Sequence, residues 1–209
     1  MRSIMIGWHI MAGITVTPGG STSEWFDMTY TKYEEMDDTS KEVGGIFAFG
    51  FTLSLWPFDV MALVTELNYN FFTSNYCFGE DCSGNANDEY FMLTTVYNNT
   101  IGVPILLRFG ERVGYCIEIG YQWEFPFYSS TETRSGNLFT YGEFDTDSKS
   151  FSKHRSKVNQ AIIVGFAKVW ERDKLYFGAR LIYNLTKLDR YGTLNAPSAL
   201  GFIVAYDFY

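Results

Sequence analysis

From Asn99 to Phe127 the chain alternates with a strict period of two. Ile101, Val103, Ile105, Leu107 and Phe109, then Val113, Tyr115, Ile117, Ile119, Tyr121, Trp123, Phe125 and Phe127, are all apolar or aromatic. Between them stand Thr100, Gly102, Pro104, Leu106 and Arg108, then Gly114, Cys116, Glu118, Gly120, Gln122, Glu124 and Pro126, a set that is small, polar or charged apart from one leucine. Successive side chains of a strand point to opposite faces, so the stretch is two strands joined at the Gly110-Glu111-Arg112 turn. Strands of globular domains usually run about 5–6 residues, whereas a tilted membrane-crossing strand needs about 9–11. A long greasy face backed by glycines and carboxylates therefore predicts part of a transmembrane barrel, with lipid outside and a polar, packed lumen inside.

The same alternation recurs along the whole chain. It predicts eight strands, over about 3–17, 43–56, 60–72, 90–109, 113–127, 158–170, 175–185 and 198–209. Long connections at about 18–42, 73–89, 128–157 and 186–197 alternate with short turns at about 57–59, 110–112 and 171–174. Outer-membrane barrels have this asymmetry, with short periplasmic turns at one end, longer extracellular loops at the other, and both chain termini periplasmic. The expected fold is all-β: one domain over 1–209, an eight-stranded antiparallel up-and-down transmembrane β-barrel. The sixth strand has an ambiguous phase, because Gln160 and Lys168 share parity with Ile162, Val164, Phe166 and Trp170. A bulge or a snorkelling lysine accounts for it.

Composition removes several other classes. No segment approaches the roughly 18 consecutive apolar residues of a membrane helix, and a mean hydropathy of −0.08 is what alternating faces produce. A net charge of −8 without a basic cluster argues against a nucleic-acid partner. Met1-Arg2 leads straight into a strand with no visible secretory signal, so the barrel reading implies a signal already removed.

The glycine-rich VGGIFAFGFTLSLW, then ALVTELNYNFF, IGVPILLRF, GYCIEIGYQW and the aromatic end IVAYDFY resemble the outer-membrane β-barrel domain family. That small-barrel group includes PorT-like proteins and is akin in architecture to the OmpA and OmpX barrels. The resemblance spans nearly the whole chain and carries no catalytic signature. It implies residence in the outer membrane of a Gram-negative-type bacterium, and the barrel-insertion machinery as a partner during biogenesis. The terminal aromatic of such barrels faces lipid; Phe208 has that phase and Tyr209 is one residue beyond it.

On this register Glu66, Glu118, Glu124, Arg108 and Arg180 all point into the lumen. Buried ions must be paired, so they predict an ion-pair network that plugs an interior just wide enough to be filled by side chains. A gated proton or ion path is the functional alternative. Trp8, Trp56, Trp123, Trp170 and Phe208 are expected in aromatic girdles. Cys77 and Cys82 fall in one exposed loop and predict a disulfide, while Cys116 is left as a small buried hydrophobe.

No catalytic, cofactor or metal site is expected. The chain has only His9, on the lumen face, and His154, in a loop beside Ser152, Ser156 and Asp147 with nothing to orient a nucleophile. Glu80, Asp81, Asp88 and Glu89 with Asn85 and Asn87 are candidate calcium ligands, but Gly84 is misplaced for the twelve-residue calcium loop. Tyr30, Tyr33, Phe139, Tyr141 and Phe144 in the long loops offer contact to an envelope protein partner or glycan, or cover the barrel mouth. The expected role is a structural, adhesive or envelope-assembly component. Its rival is a soluble or periplasmic calyx with the apolar face turned inward around a hydrophobic ligand; the few lysines on the other face speak against it.

Overall fold

A closed ring of strands carries the structure. The computed structural model describes residues 3–17, 39–41, 43–78, 91–111, 113–136, 145–150, 157–170, 175–187 and 196–207. Its strands are β1 (Ser3–Val16), β2 (Thr39–Lys41), β3 (Val43–Phe58), β4 (Met61–Phe78), β5 (Phe91–Gly110), β6 (Gly114–Gly136), β7 (Asp145–Ser150), β8 (Asn159–Trp170), β9 (Leu175–Asn184) and β10 (Ser198–Asp207). β1 pairs with both β3 and β10, and pairing follows chain order around the ring until β4 meets β5. All pairings are antiparallel, which makes a closed eight-stranded barrel, with no helix among the described residues. β2 and β7 are short additional strands that pair with the ends of β4 and β6 nearest the long connections.

The ladder is strongly staggered. Traced once around the ring, partners lead from Glu118 through Gly165, Arg180, Gly201, Gly13, Ile46, Phe72 and Asn98 back to β6 at Ser129. With one bulged residue discounted, the offset is about ten residues, the shear that tilts strands and sets the width of a small barrel. A row of partners is therefore a spiral that climbs toward the long-loop end in the order β6, β8, β9, β10, β1, β3, β4, β5.

The period-two pattern decides which face is which. Phe51 is 65% exposed, Ile4 62% and Phe202 61%, and the outward set continues around the ring with Ile105, Ile117, Phe166 and Phe177. The inward set mixes small, polar and charged residues with larger apolar ones such as Trp56, Leu106, Ile163, Tyr176 and Ile203, and is almost wholly buried. In β8 the outward residues are Ile162, Val164, Phe166 and Trp170, with Gln160 and Lys168 half-buried on the same side and no register shift toward β6 or β9. The lysine alternative holds and the bulge does not: Lys168 Nζ lies over the rings of Tyr115 (5.3 Å) and Trp170 (5.2 Å).

Several expected boundaries shift. β4 runs on to Phe78 and β6 to Gly136, and β7 pairs with β6, so parts of the loops expected at 73–89 and 128–157 are strand. Thr39–Lys41 is likewise strand within the expected 18–42 connection. Most of these segments are rich in Ser, Thr and charge and lack the greasy alternation, and backbone pairing with a neighbour extends them. Phe127 has no ladder partner, since Asn99 pairs with Tyr128 and Thr100 with Pro126. This bulge flips the parity of β6, turning Ser129 and Thr131 inward.

At the first short turn, β3 continues through Phe58 with a register shift after Leu55, and Val60, which shares the parity of inward Glu66, is exposed in the turn itself. Gly110 is at φ 140° beside the β5–β6 turn, a conformation that suits glycine, and its N–H donates to the Val60 carbonyl. The short turn at 171–174 and most of the 186–197 connection lie outside the described residues.

Candidate functional site

The lumen is built in layers. Nearest the short turns it is apolar: Trp56, Ala62, Tyr176, Cys116 and Ala167 are buried there. Trp56 corrects an expectation, since at 4% exposure it points inward and belongs to no girdle. The even phase of β3 dictates this, as Trp56 shares parity with Ser54 and Thr52. Trp8 and Trp170 are on the outer face, as is half-buried Trp123, whose ring meets Tyr121 edge-on; Phe208 lies outside the described residues.

Above this floor Glu66, Glu118, Arg108 and Arg180 meet. Arg108 donates from Nε (2.9 Å) and Nη2 (2.8 Å) to Glu118 Oε1, directly across the β5–β6 ladder. Arg180 donates from Nε to Glu118 Oε2 (2.9 Å). Its Nη1 and Nη2 grip Glu66 Oε2 (2.9 Å) and Oε1 (2.7 Å) as a fork. Nη2 also lies 2.9 Å from Glu118 Oε2. Two carboxylates and two guanidinium groups cancel in charge, and bidentate geometry is what makes a buried pair hold.

Gly165 makes the Glu118–Arg180 contact possible. It stands on β8 between the two, and a Cβ there would lie 3.1 Å from Glu118 Oε2 and 3.2 Å from Arg180 Cγ. The Arg108 guanidinium also lies 4.6 Å above the Tyr176 ring, so the charge layer rests on the apolar floor through a cation–π contact.

His9 joins this layer, a meeting that strand parity does not reveal. Its Nδ1 is 2.9 Å from Thr52 Oγ1 and its Nε2 3.5 Å from Glu66 Oε2. Thr52, His9 and Glu66 thus have the order of a nucleophile, a base and an orienting carboxylate. Both Glu66 oxygens are already held by Arg180, and Thr52 is buried in the barrel wall's packed interior. Of these contacts only His9–Thr52 is a hydrogen bond, since His9 Nε2 makes none, so the three groups are not joined as a proton relay.

Glu124 is not part of the ion-pair network, and this is the main correction to the predicted set. It lies further along β6 toward the long loops, where its neighbours are amides: Gln122 Nε2 (2.5 Å) and Asn70 Nδ2 (3.3 Å) both donate to Oε1. Asn70 Nδ2 also lies 3.2 Å from Thr100 Oγ1. Parity requires Glu124 to point inward, but the spiral of the ladder carries it above both arginines.

Among the described residues no group of three or more His, Cys, Asp or Glu side chains converges as a metal site. Cys116 is a free, buried cysteine, and no disulfide is formed among the described residues. Cys82 lies outside them, so the expected Cys77–Cys82 bridge does too. The loop-two calcium candidates, His154 with Ser152 and Ser156, and the loop aromatics Tyr30, Tyr33, Phe139, Tyr141 and Phe144 also lie outside the described residues; Asp147 is in β7.

Among solved structures the chain is similar to Neisserial surface protein A, at 12% identity and a TM-score of 0.49, over 100% of this chain and 99% of that one. No family model matches the chain, and no curated protein does.

Proposed function

We propose that this chain is an integral outer-membrane β-barrel of a Gram-negative-type bacterium, of the PorT-like small-barrel group that its sequence resembles. Its lumen is closed by paired charges, and its role is structural, adhesive or in envelope assembly, through the acidic long loops. One observation carries the membrane reading: large apolar side chains ring the outside of a closed barrel whose inside holds the charges. Exposed apolar patches on soluble monomers rarely exceed a few hundred Å², whereas a lipid-facing band must be continuous. Barrel strands of 10 to 23 residues are long enough to cross at a tilt.

The ion-paired lumen favours a plug over an open pore, and we read the protein as non-catalytic and free of any cofactor. Lipid is its principal partner, the barrel-insertion machinery serves its biogenesis, and the loops are the surface offered to an envelope partner. Gel mobility of detergent-refolded protein, boiled against unboiled, tests the reading together with circular dichroism. The expected result is a β-rich, heat-modifiable band that aggregates without detergent. A monomeric, β-rich protein in plain buffer overturns it in favour of a soluble barrel.

A further inference from the structure

Glu124 is 3% exposed, yet one of its carboxylate oxygens, Oε2, has no hydrogen-bond partner. Directly opposite across the β6–β8 ladder stands Asn159, 1% exposed, whose amide is turned toward the Glu124 carboxylate without either of its polar atoms reaching a well-formed hydrogen bond. Side chains of ladder partners on one face have Cβ atoms about 4.5–5.5 Å apart, so these unused donor and acceptor atoms face a common space. Around it the walls are neutral and oxygen-rich: Thr100 and Gln122 are buried on the same inward face, and Asn70 leans over to reach Glu124. Gly102 leaves the room for that lean, since a Cβ there would lie 2.6 Å from Asn70 Nδ2. The two arginines are committed to Glu66 and Glu118 and satisfy no part of Glu124.

We infer that Glu124 and Asn159 form a binding site for a hard metal cation in the upper lumen, with Glu124 Oε2 as the anionic ligand and the Asn159 amide oxygen as a neutral one. A buried carboxylate with no positive neighbour is costly, and a cation removes that cost. The donor chemistry selects the class. Oxygen ligands without thiolate or imidazole suit calcium or an alkali cation and not zinc or copper. A single carboxylate implies weak affinity, in the range of about 10⁻⁴–10⁻³ M that low-charge calcium sites show. The inference concerns the interior alone and does not depend on whether lipid or water lies outside the barrel.

The test uses the full chain, stripped with chelator and folded in whichever medium, detergent or buffer, returns it β-rich. Calcium chloride and sodium chloride are titrated separately while the unfolding temperature is followed, with magnesium chloride as a control for ionic strength. Wild type is expected to show a saturable upward shift with calcium or sodium that magnesium does not reproduce, Glu124→Gln to lose it, and Asn159→Asp to move the calcium midpoint at least threefold lower. The last variant adds a ligand, so it reads the site even if the glutamine variant folds poorly. Equal shifts in wild type and both variants place the cation elsewhere, such as among the loop-two acids, and overturn the site. So does a wild type that no cation shifts, which leaves Glu124 satisfied by a proton or by water.

Discussion

Two layers of one lumen solve the same problem differently. Around Glu118 every carboxylate oxygen faces a guanidinium, and Arg180 alone ties β9 to both β4 and β6. Around Glu124 the carboxylate meets only amides, and Glu124 Oε2 and the Asn159 amide make no well-formed hydrogen bond. The two glutamates share a strand, a face and near-complete burial. They differ in what the stagger of the barrel brings opposite them, which teaches that burial alone does not tell whether a charge is a structural tie or an open ligand.

The largest effect should come from Arg180→Met, which strands Glu66 and Glu118 together. A loss of about 3–5 kcal/mol is expected from the denaturant midpoint of the refolded barrel. Combining it with Glu118→Gln should cost clearly less than the sum of the two single changes. Strict additivity would dissolve the tie between them.

Next, Gly165→Ala forces a methyl between Glu118 and Arg180 and should cost about 1–3 kcal/mol. Gly102→Ala in the upper layer should cost less, because the atom in its way is the mobile amide end of Asn70. If the two glycine variants melt alike, the upper layer is packed as rigidly as the lower.

Glu124→Gln, measured in chelator without added cation, should change stability by no more than about 1 kcal/mol, since removing a buried charge that has amide neighbours but no cationic one relieves as much as it loses. Glu118→Gln under the same conditions should be distinctly worse. A Glu124→Gln loss as large as the Glu118→Gln loss would erase the contrast between layers.

The smallest effect belongs to the outer wall. Lys168→Gln removes contacts to Tyr115 and Trp170 and should cost about 0.5–1 kcal/mol. The intrinsic tryptophan emission of the variant reports whether Trp170 shifts its surroundings.

The chain's own order of residues determined most of the architecture. Period two from Ile101 to Phe125 requires strands with one greasy face, and the alternation of long and short connections requires an up-and-down ring. The same parity identified Glu66, Glu118, Arg108 and Arg180 as inward. It failed where polarity hides the period, as in the Ser- and Thr-rich end of β6 and in β7, whose strands are held by backbone pairing that side-chain pattern does not report. Phe127 is outward as its parity requires, but as an unpaired residue it inverts the positions that follow it in β6.

What tertiary structure alone decided is height. Parity says in or out, but which inward residues meet across a lumen depends on the shear accumulated over a whole circuit of strands, a non-local quantity set by every register at once. That stagger set His9 beside Glu66, lifted Glu124 away from the arginines, and let Gly165 on an intervening strand open the gap through which Glu118 reaches Arg180.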